Sequence, residues 1–245
     1  GETYQVNLTF AMHGRTPTDL RPFYRHLSQA QCSSWCGLLA WDDKAVLSAS
    51  PELFFMTEGR TIRTRPMKGT RPRGFSAEHD ERLRQELLAS PKEQAENLMI
   101  VDLLRNDLGR ICTIGSVRVP ALMQCEKYPT VWQMTSTVEG SLREGTTLAD
   151  VFGALFPCGS VTGAPKIRTM ELIRSLEAGP RSVYCGAFGL LLPGGDAMFN
   201  VPIRTLCATQ DAGVYRVGSG VVADSTGADE YDECLIKARV LTAAT

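Results

Sequence analysis

Apolar residues recur at helical spacing between residues 90 and 109, where Leu98, Val101, Leu104 and Leu108 make a stripe that predicts a core-facing helix. Glu93, Glu96, Ile100 and Asp107 fall on another face, so two carboxylates share one side. Ser90 suits the N-cap, Pro91 the first turn, Glu93 the third position of a capping box, and Gly109 a left-handed stop. The same pattern returns over 229–241. There Tyr231, Cys234, Leu235, Ala238 and Leu241 form the stripe, and Glu230, Glu233 and Lys237 lie along one side. If both helices face one cavity, four carboxylates converge, and a hard divalent cation such as Mg²⁺ answers their repulsion. The plainer alternative is that Glu93 is a cap, Glu230 a first-turn acid, and Glu233 an i,i+4 partner of Lys237.

Period-two alternation predicts strands over 4–10, 35–41, 44–48, 53–56, 60–65, 111–119, 130–138, 183–192, 197–209 and 214–222. Further helices are predicted over 22–30, 77–89, 147–156 and 165–176. Strands outnumber helices and are joined mainly by turn sequences such as Asp42-Asp43, Glu58-Gly59 and Pro193-Gly194-Gly195. The predicted class is α+β, with large antiparallel sheets and helices packed against them. No repeat, low-complexity tract or linker divides the chain, so one domain over 1–245 is expected.

The 245 residues include 43% hydrophobic ones, enough for a core, and the 26 basic residues are balanced by 27 acidic ones. No global charge draws the chain to nucleic acid or a membrane, and no run reaches the roughly eighteen apolar residues of a span. A soluble, cytoplasmic protein is expected. Eight cysteines stand in mostly apolar segments without zinc-site spacing, which predicts reduced, buried thiols. With only His13, His26 and His79 available, chemistry must rest on carboxylates, lysine and arginine.

Residues 60–73 hold Arg60, Arg63, Arg65, Lys68, Arg71 and Arg73 with no acid among them. This reads as a solvated loop, or as cationic surroundings that favour the neutral amine of Lys68 and make it a nucleophile. An RNA patch would want interleaved aromatics and a basic surplus, and neither is present. Residues 159–166, Gly-Ser-Val-Thr-Gly-Ala-Pro-Lys, miss the P-loop spacing but still make a glycine-rich turn that opens a helix, a place for an anion. Arg204 and the stretch Gly218-Ser219-Gly220 are further candidate anion contacts, with a strand-edge arginine and a bulge as the ordinary alternatives.

Together these pieces resemble the chorismate-utilising enzymes, and within them the aminodeoxychorismate synthase component I branch. The resemblance spans nearly the whole chain. It is carried by residues 4–8, Ser50-Pro51-Glu52, Pro66-Met67-Lys68-Gly69-Thr70, residues 95–107, Gly163-Ala164-Pro165-Lys166, Tyr184-Cys185-Gly186, Pro202-Ile203-Arg204-Thr205, Gly218-Ser219-Gly220, and Glu230-Tyr231-Asp232-Glu233 leading to Lys237. It implies an anthranilate-synthase-like fold, chorismate as substrate and Mg²⁺ as cofactor. Glu96 and Glu233 match the direct metal ligands, with Glu93 and Glu230 in support. Tyr184, Arg204 and the backbone at Gly218 and Gly220 match contacts to the enolpyruvyl carboxylate, with Gly69, Thr70, Ser160 and Lys237 also lining the substrate. Glu52 matches a general acid assisting loss of the ring hydroxyl.

Two positions narrow what the resemblance implies. Relatives that add water carry a lysine base where this chain has Gln5, so Gln5 implies ammonia as nucleophile. Anthranilate synthases usually have alanine where this chain has Lys68, whereas a lysine nucleophile there implies amination at C4 with the enolpyruvyl group retained, for 4-aminobenzoate and folate. The ammonia would come from a glutamine amidotransferase subunit or domain. The runner-up is anthranilate synthesis, and a non-enzyme alternative is a degenerate chorismate-binding module. Gln133 stands where many relatives have histidine, and Ser160 replaces the more usual threonine. Relatives also have a long region before the first strand, so this chain is expected to be the C-terminal, catalytic part of a longer one.

Overall fold

The computed structural model describes residues 1–129 and 131–242, which form two compact units. The first is built from Gly1–Glu52, Val161–Gly189 and the stretch from Asn200 onward. Its centre is a six-stranded sheet in the order β2 (Trp35–Trp41), β3 (Lys44–Ser50), β12 (Thr205–Thr209), β13 (Ala212–Val221), β1 (Gln5–Arg15) and β9 (Gly163–Ala164). The longest pairing joins β1 to β13, antiparallel from Val6 opposite Val221 to Arg15 opposite Ala212. Helices α1 (Leu20–Gln31) and α6 (Gly227–Thr242) cover one face. Phe23, Leu27, Cys234 and Ala238 close there on Leu47, Leu206, Tyr215 and Val217.

Beyond the two-residue β9, the outer edge of β1 has no strand beside it among the described residues. The end of α5 (Lys166–Leu176) takes over. Thr9 N–H donates to Glu177 Oε1 at 2.8 Å, and Arg181 Nη2 donates to the Asn7 carbonyl at 2.6 Å. Arg181 also grips Glu177 at 2.6 Å and the Val161 carbonyl, so a side-chain pair substitutes for a neighbouring strand on an otherwise open edge.

The second unit, Leu53–Ser160 with Leu190–Phe199, holds the other sheet. Its order is β10 (Phe188–Leu191), β11 (Ala197–Asn200), β4 (Leu53–Glu58), β5 (Thr61–Arg65), β8 (Val131–Ser141) and β6 (Met67–Pro72), with β7 (Arg118–Lys127) also paired to β8. Helix α3 (Pro91–Gly109) packs on β8 and β6, flanked by α2 (Ala77–Ala89) and α4 (Leu148–Leu155). Anchorage is polar as well as apolar. Ser136 on β8 donates to Asn97 Oδ1 at 2.5 Å, beneath the buried Ile100, Leu104 and Leu108.

The α+β class and the antiparallel sheets agree with the sequence reading. Several details do not. On α3, Leu98 is 45% exposed, and the buried face is instead Asn97, Ile100, Val101, Leu104, Asp107 and Leu108. Ser90 caps Glu93 N–H, but no reciprocal box forms, because the Ser90 amide already ends α2 on the Leu87 carbonyl. The capping box is on α4, between Thr147 and Asp150. Gly109 is the last residue of α3 rather than a left-handed stop, and the helix ends on Arg110 in a right-handed conformation. The expected loop around Lys68 is strand β6. The strand expected over 111–119 starts only at Arg118, and that expected over 183–192 is a turn followed by β10. The run 197–209 divides into β11 and β12 in different sheets, parted at residues 201–204, where Arg204 has φ 48°. Thr130, at which one strand was expected to start, lies outside the described residues.

Candidate active site

In the second unit the predicted residues gather where β6 lies on α3. Gly69 has φ 85°, and a Cβ there would come within 3.0 Å of Glu93 Oε2, so only glycine lets the strand approach the helix this closely. That approach brings Lys68 Nζ to 3.9 Å from Glu96 Oε2, both side chains largely buried, and Arg71 to 3.1 Å from Glu93 Oε1. Gln133 on β8 brackets the strand from its other side. Its Nε2 donates to the Gly69 carbonyl at 2.8 Å, and its Oε1 accepts from Thr70 Oγ1 at 3.1 Å. An amide presents donor and acceptor side by side, which suits two adjacent groups. The two nitrogens of an imidazole diverge and do not.

The basic run is not the field of loose cations that the sequence suggests. Arg63 meets Glu139 at 2.5 Å, Arg65 pairs with Glu126, and Arg73 donates to Asp80 at 2.7 Å. Arg60 donates to the Leu142 carbonyl. The expectation that Arg65, Arg71 and Arg73 press their charge on Lys68 is therefore corrected: each is offset by a carboxylate, Glu126, Glu93 and Asp80 in turn, and Lys68 itself stands beside Glu96. Ser160, also in this unit, is buried 3.2 Å from Cys158 Sγ. A Cβ on its neighbour Gly159 would fall 2.1 Å from the end of the Leu103 side chain of α3, so glycine lets the turn sit tight on that helix.

In the first unit, Ser219 of β13 is the hub of one cluster. Its Oγ lies within hydrogen-bonding distance of Glu230 and 3.0 Å from Glu233 Oε1, so both carboxylates of α6 turn to the sheet. Lys237 Nζ sits 2.5 Å from Glu233 Oε1 and donates to the Gly218 carbonyl at 3.0 Å. At Gly218 a Cβ would run into Thr9 and the Leu8 carbonyl at 2.6 and 2.7 Å, which explains the bare backbone there. Gly220 follows, opposite Asn7.

Tyr184, Arg204 and Glu52 form the other cluster of this unit. Tyr184 stands in a turn with left-handed Ser182 and Cys185, closed by Cys185 N–H to the Pro202 carbonyl. Burial pushes its phenol well above the ordinary range, and the charge of Arg204 opposes that shift. The Arg204 carbonyl accepts from Ala49 N–H at 3.1 Å, and that of Glu52 from Val201 N–H at 3.1 Å, which places the buried Glu52 next to the Arg204 segment. Gln5, at the start of β1, is 2% exposed, and neither atom of its amide has a partner among the described residues. Such a group is costly to leave bare and suits contact with a ligand.

The sequence did not single out Glu177, Arg181 and Arg216. Glu177 is 3% exposed and meets Arg181 at 2.6 Å and Arg216 at 3.5 Å, bracing the turn that carries Tyr184. Its one signal was the i,i+4 spacing of Glu177 and Arg181, which Gly179-Pro180 made look like loop. Among the described residues no three His, Cys, Asp or Glu side chains form a metal-holding group within reach of one another. The acids come instead as two helical pairs, Glu93 with Glu96 and Glu230 with Glu233. Their donors are oxygen only, which fits Mg²⁺ held by one or two carboxylates with water.

A model of chorismate binding enzymes matches residues 1–243. The chain belongs to the chorismate-binding enzyme family. It is 44% identical over 247 residues to an aminodeoxychorismate synthase of Streptomyces pristinaespiralis, covering 100% of this chain and 34% of the relative. It is 42% identical over 241 residues to an anthranilate synthase component 1 of Methanothermobacter marburgensis, covering 98% and 52%. The crystal structure of anthranilate synthase component I from Streptococcus pneumoniae superposes with a TM-score of 0.90 at 35% identity, covering 98% of this chain and 53% of that one. The anthranilate-synthase-like fold is thereby established. This family member spans about a third to a half of the length of these relatives. None of its described helices is long and apolar enough to cross a membrane.

Proposed function

We propose that this chain aminates chorismate at C4 with ammonia, giving 4-amino-4-deoxychorismate through a covalent adduct on Lys68. The observation that carries the reading is the setting of Lys68, a largely buried amine on a strand held from one side by Gln133 and from the other by the acidic face of α3. Relatives named aminodeoxychorismate synthase and anthranilate synthase stand at similar identity, so the choice between C4 and C2 rests on this lysine.

In this scheme the Tyr184 phenol and Arg204 hold the enolpyruvyl carboxylate beside the backbone of Gly218 and Gly220. Mg²⁺, bound by Glu96 and Glu233 with Glu93 and Glu230 in support, would neutralise and hold the ring carboxylate. Lys68 attacks as the free amine. Glu52 gives its proton to the departing C4 hydroxyl, which leaves as water while the Lys68 amine forms a bond to the ring. Ammonia then bonds at C4 and the lysine amine departs with the electron pair of its own bond, so enolpyruvyl is retained. Gln5 lies where an uncharged amide rather than a base suits ammonia as nucleophile.

A glutamine amidotransferase is the proposed ammonia source. Burial pushes the thiols of Cys36, Cys125, Cys207 and Cys234 up, and that of Cys112 to about 11, a poor basis for a glutaminase nucleophile in this chain.

The test is mass spectrometry of the protein incubated with chorismate and Mg²⁺ but no ammonia. A mass increment is expected on the peptide containing Lys68, released as aminodeoxychorismate when ammonia is added and absent in Lys68→Ala. Anthranilate and pyruvate formed without an adduct would establish the C2 reaction instead.

A further inference from the structure

We propose that the first unit carries a second small-molecule site, for a compact acid with a flat apolar body, between α1 and the far end of the β1–β13 ladder. In that ladder Gly14 stands opposite Gly213, next to the pair Met12 and Tyr215. On the Gly213 side Thr16 and Leu206 fill the place of a side chain, and the gap is on the Gly14 side. A Cβ on Gly14 would meet nothing within 4 Å, and its backbone has no left-handed φ that would demand glycine. The result is an open-mouthed cavity of about 480 Å³, within the range of small-molecule sites, with Gly14, Arg15 and His26 exposed at its mouth. It lies five residues along β13 from Gly218, roughly 17 Å at strand rise, so the substrate contacts described above do not reach it.

The lining gives the ligand class. Met12, Phe23, Leu206, Tyr215 and Leu241 make apolar walls, of which Phe23 and Tyr215 offer ring faces. The polar groups are Arg15, His13 and His26, so two of the three histidines of the chain border one cavity. The acid among them, Asp19, already accepts from the Arg21 amide at 3.0 Å and from its Nε at 3.2 Å. Arg15 has no ion pair among the described residues, which leaves a planar donor fork at the rim for a carboxylate or sulfonate.

The probe is 8-anilinonaphthalene-1-sulfonate, followed by its fluorescence, with uncharged N-phenyl-1-naphthylamine as its neutral counterpart. Saturable one-site binding to the wild type is expected. Gly14→Leu, which fills the cavity, should abolish it, with the thermal midpoint no lower and chorismate turnover unchanged. Arg15→Gln should weaken the sulfonate about tenfold and leave the neutral probe unaffected. Should Gly14→Leu fail to fold by circular dichroism, His26→Trp on the exposed side of α1 fills the cavity and must give the same loss. No saturable binding to the wild type, or wild-type binding in the filled variant, overturns the site. Equal weakening of both probes by Arg15→Gln overturns the acid preference.

Discussion

Replacing Glu177 with alanine should destabilise the protein by about 3–5 kcal/mol, the usual consequence of removing one partner from a buried ion pair. Three contacts set that size. Glu177 is 3% exposed, Arg181 and Arg216 are 13% and 12% exposed, and both arginines would remain buried without their counter-charge. Thr9 N–H would lose its acceptor on the open edge of β1, itself worth about 1–3 kcal/mol when buried and unmet. Glu177→Gln keeps an acceptor for Thr9 but not the charge, so it should fall between wild type and alanine. The internal control is Glu171→Ala. Its pairing with Arg168 at 2.6 Å is solvent-exposed, and its loss should move stability by less than about 1 kcal/mol. Urea unfolding at neutral pH measures all three. For a chain of this size the alanine variant should also melt on the order of 6–20 °C lower. A loss under about 1 kcal/mol, or one equal to that of Glu171→Ala, would refute the claim that this carboxylate holds the edge.

Asp80 should give stability a dependence on acid pH. Donation from Arg73, then from Gly74 N–H and the Trp132 indole, holds its carboxyl far below the usual range. The unfolded chain therefore takes up the proton first, so the contribution is complete above about pH 4 and fades as pH falls further. Asp80→Asn should be less stable at neutral pH, with the gap to wild type closing in acid, and a gap constant with pH would count against the assignment. Gln133→Leu, which removes the bracket on Gly69 and Thr70, should slow Lys68 adduct formation about ten- to hundredfold without unfolding the chain; an unchanged rate in rapid-quench mass spectrometry would remove Gln133 from the mechanism. Glu96→Gln and Glu233→Gln should each abolish Mg²⁺-dependent turnover, and full activity in chelator would defeat the proposed metal role of these residues.

The sequence made the acidic helices and most strands legible because their patterns repeat within two to four residues, and the glycines stood out as residue types. Gly69, Gly159 and Gly218 each prove to be places where a Cβ would strike another element. Long-range partners were beyond that reach. Nothing near residue 65 announces Glu126, nor does anything near residue 63 announce Glu139, so Arg63 and Arg65 looked uncompensated when each meets a carboxylate. Strand β6 was hidden by Pro66, Gly69 and Pro72, whose breaking tendency is overcome by the ladder to β8 with its shifted register. The run 197–209 looked continuous because its apolar residues are. Pro202 was the local sign of the break, and the exchange of sheets at Arg204 is set by pairing to β3 on one side only.

The ladder between β1 and β13 also orders events while the chain is being made. Strand β1 finds its principal partner only about 200 residues later, at Ala212–Val221. At about 5–20 residues per second, translation keeps it waiting roughly 10–40 s. Meanwhile β4 through β8, contiguous in sequence, can already pair as they leave the ribosome. The second unit can thus assemble from its central strands first. The β1 segment, with Phe10 and Met12 still uncovered, must stay unaggregated until β13 has been synthesised.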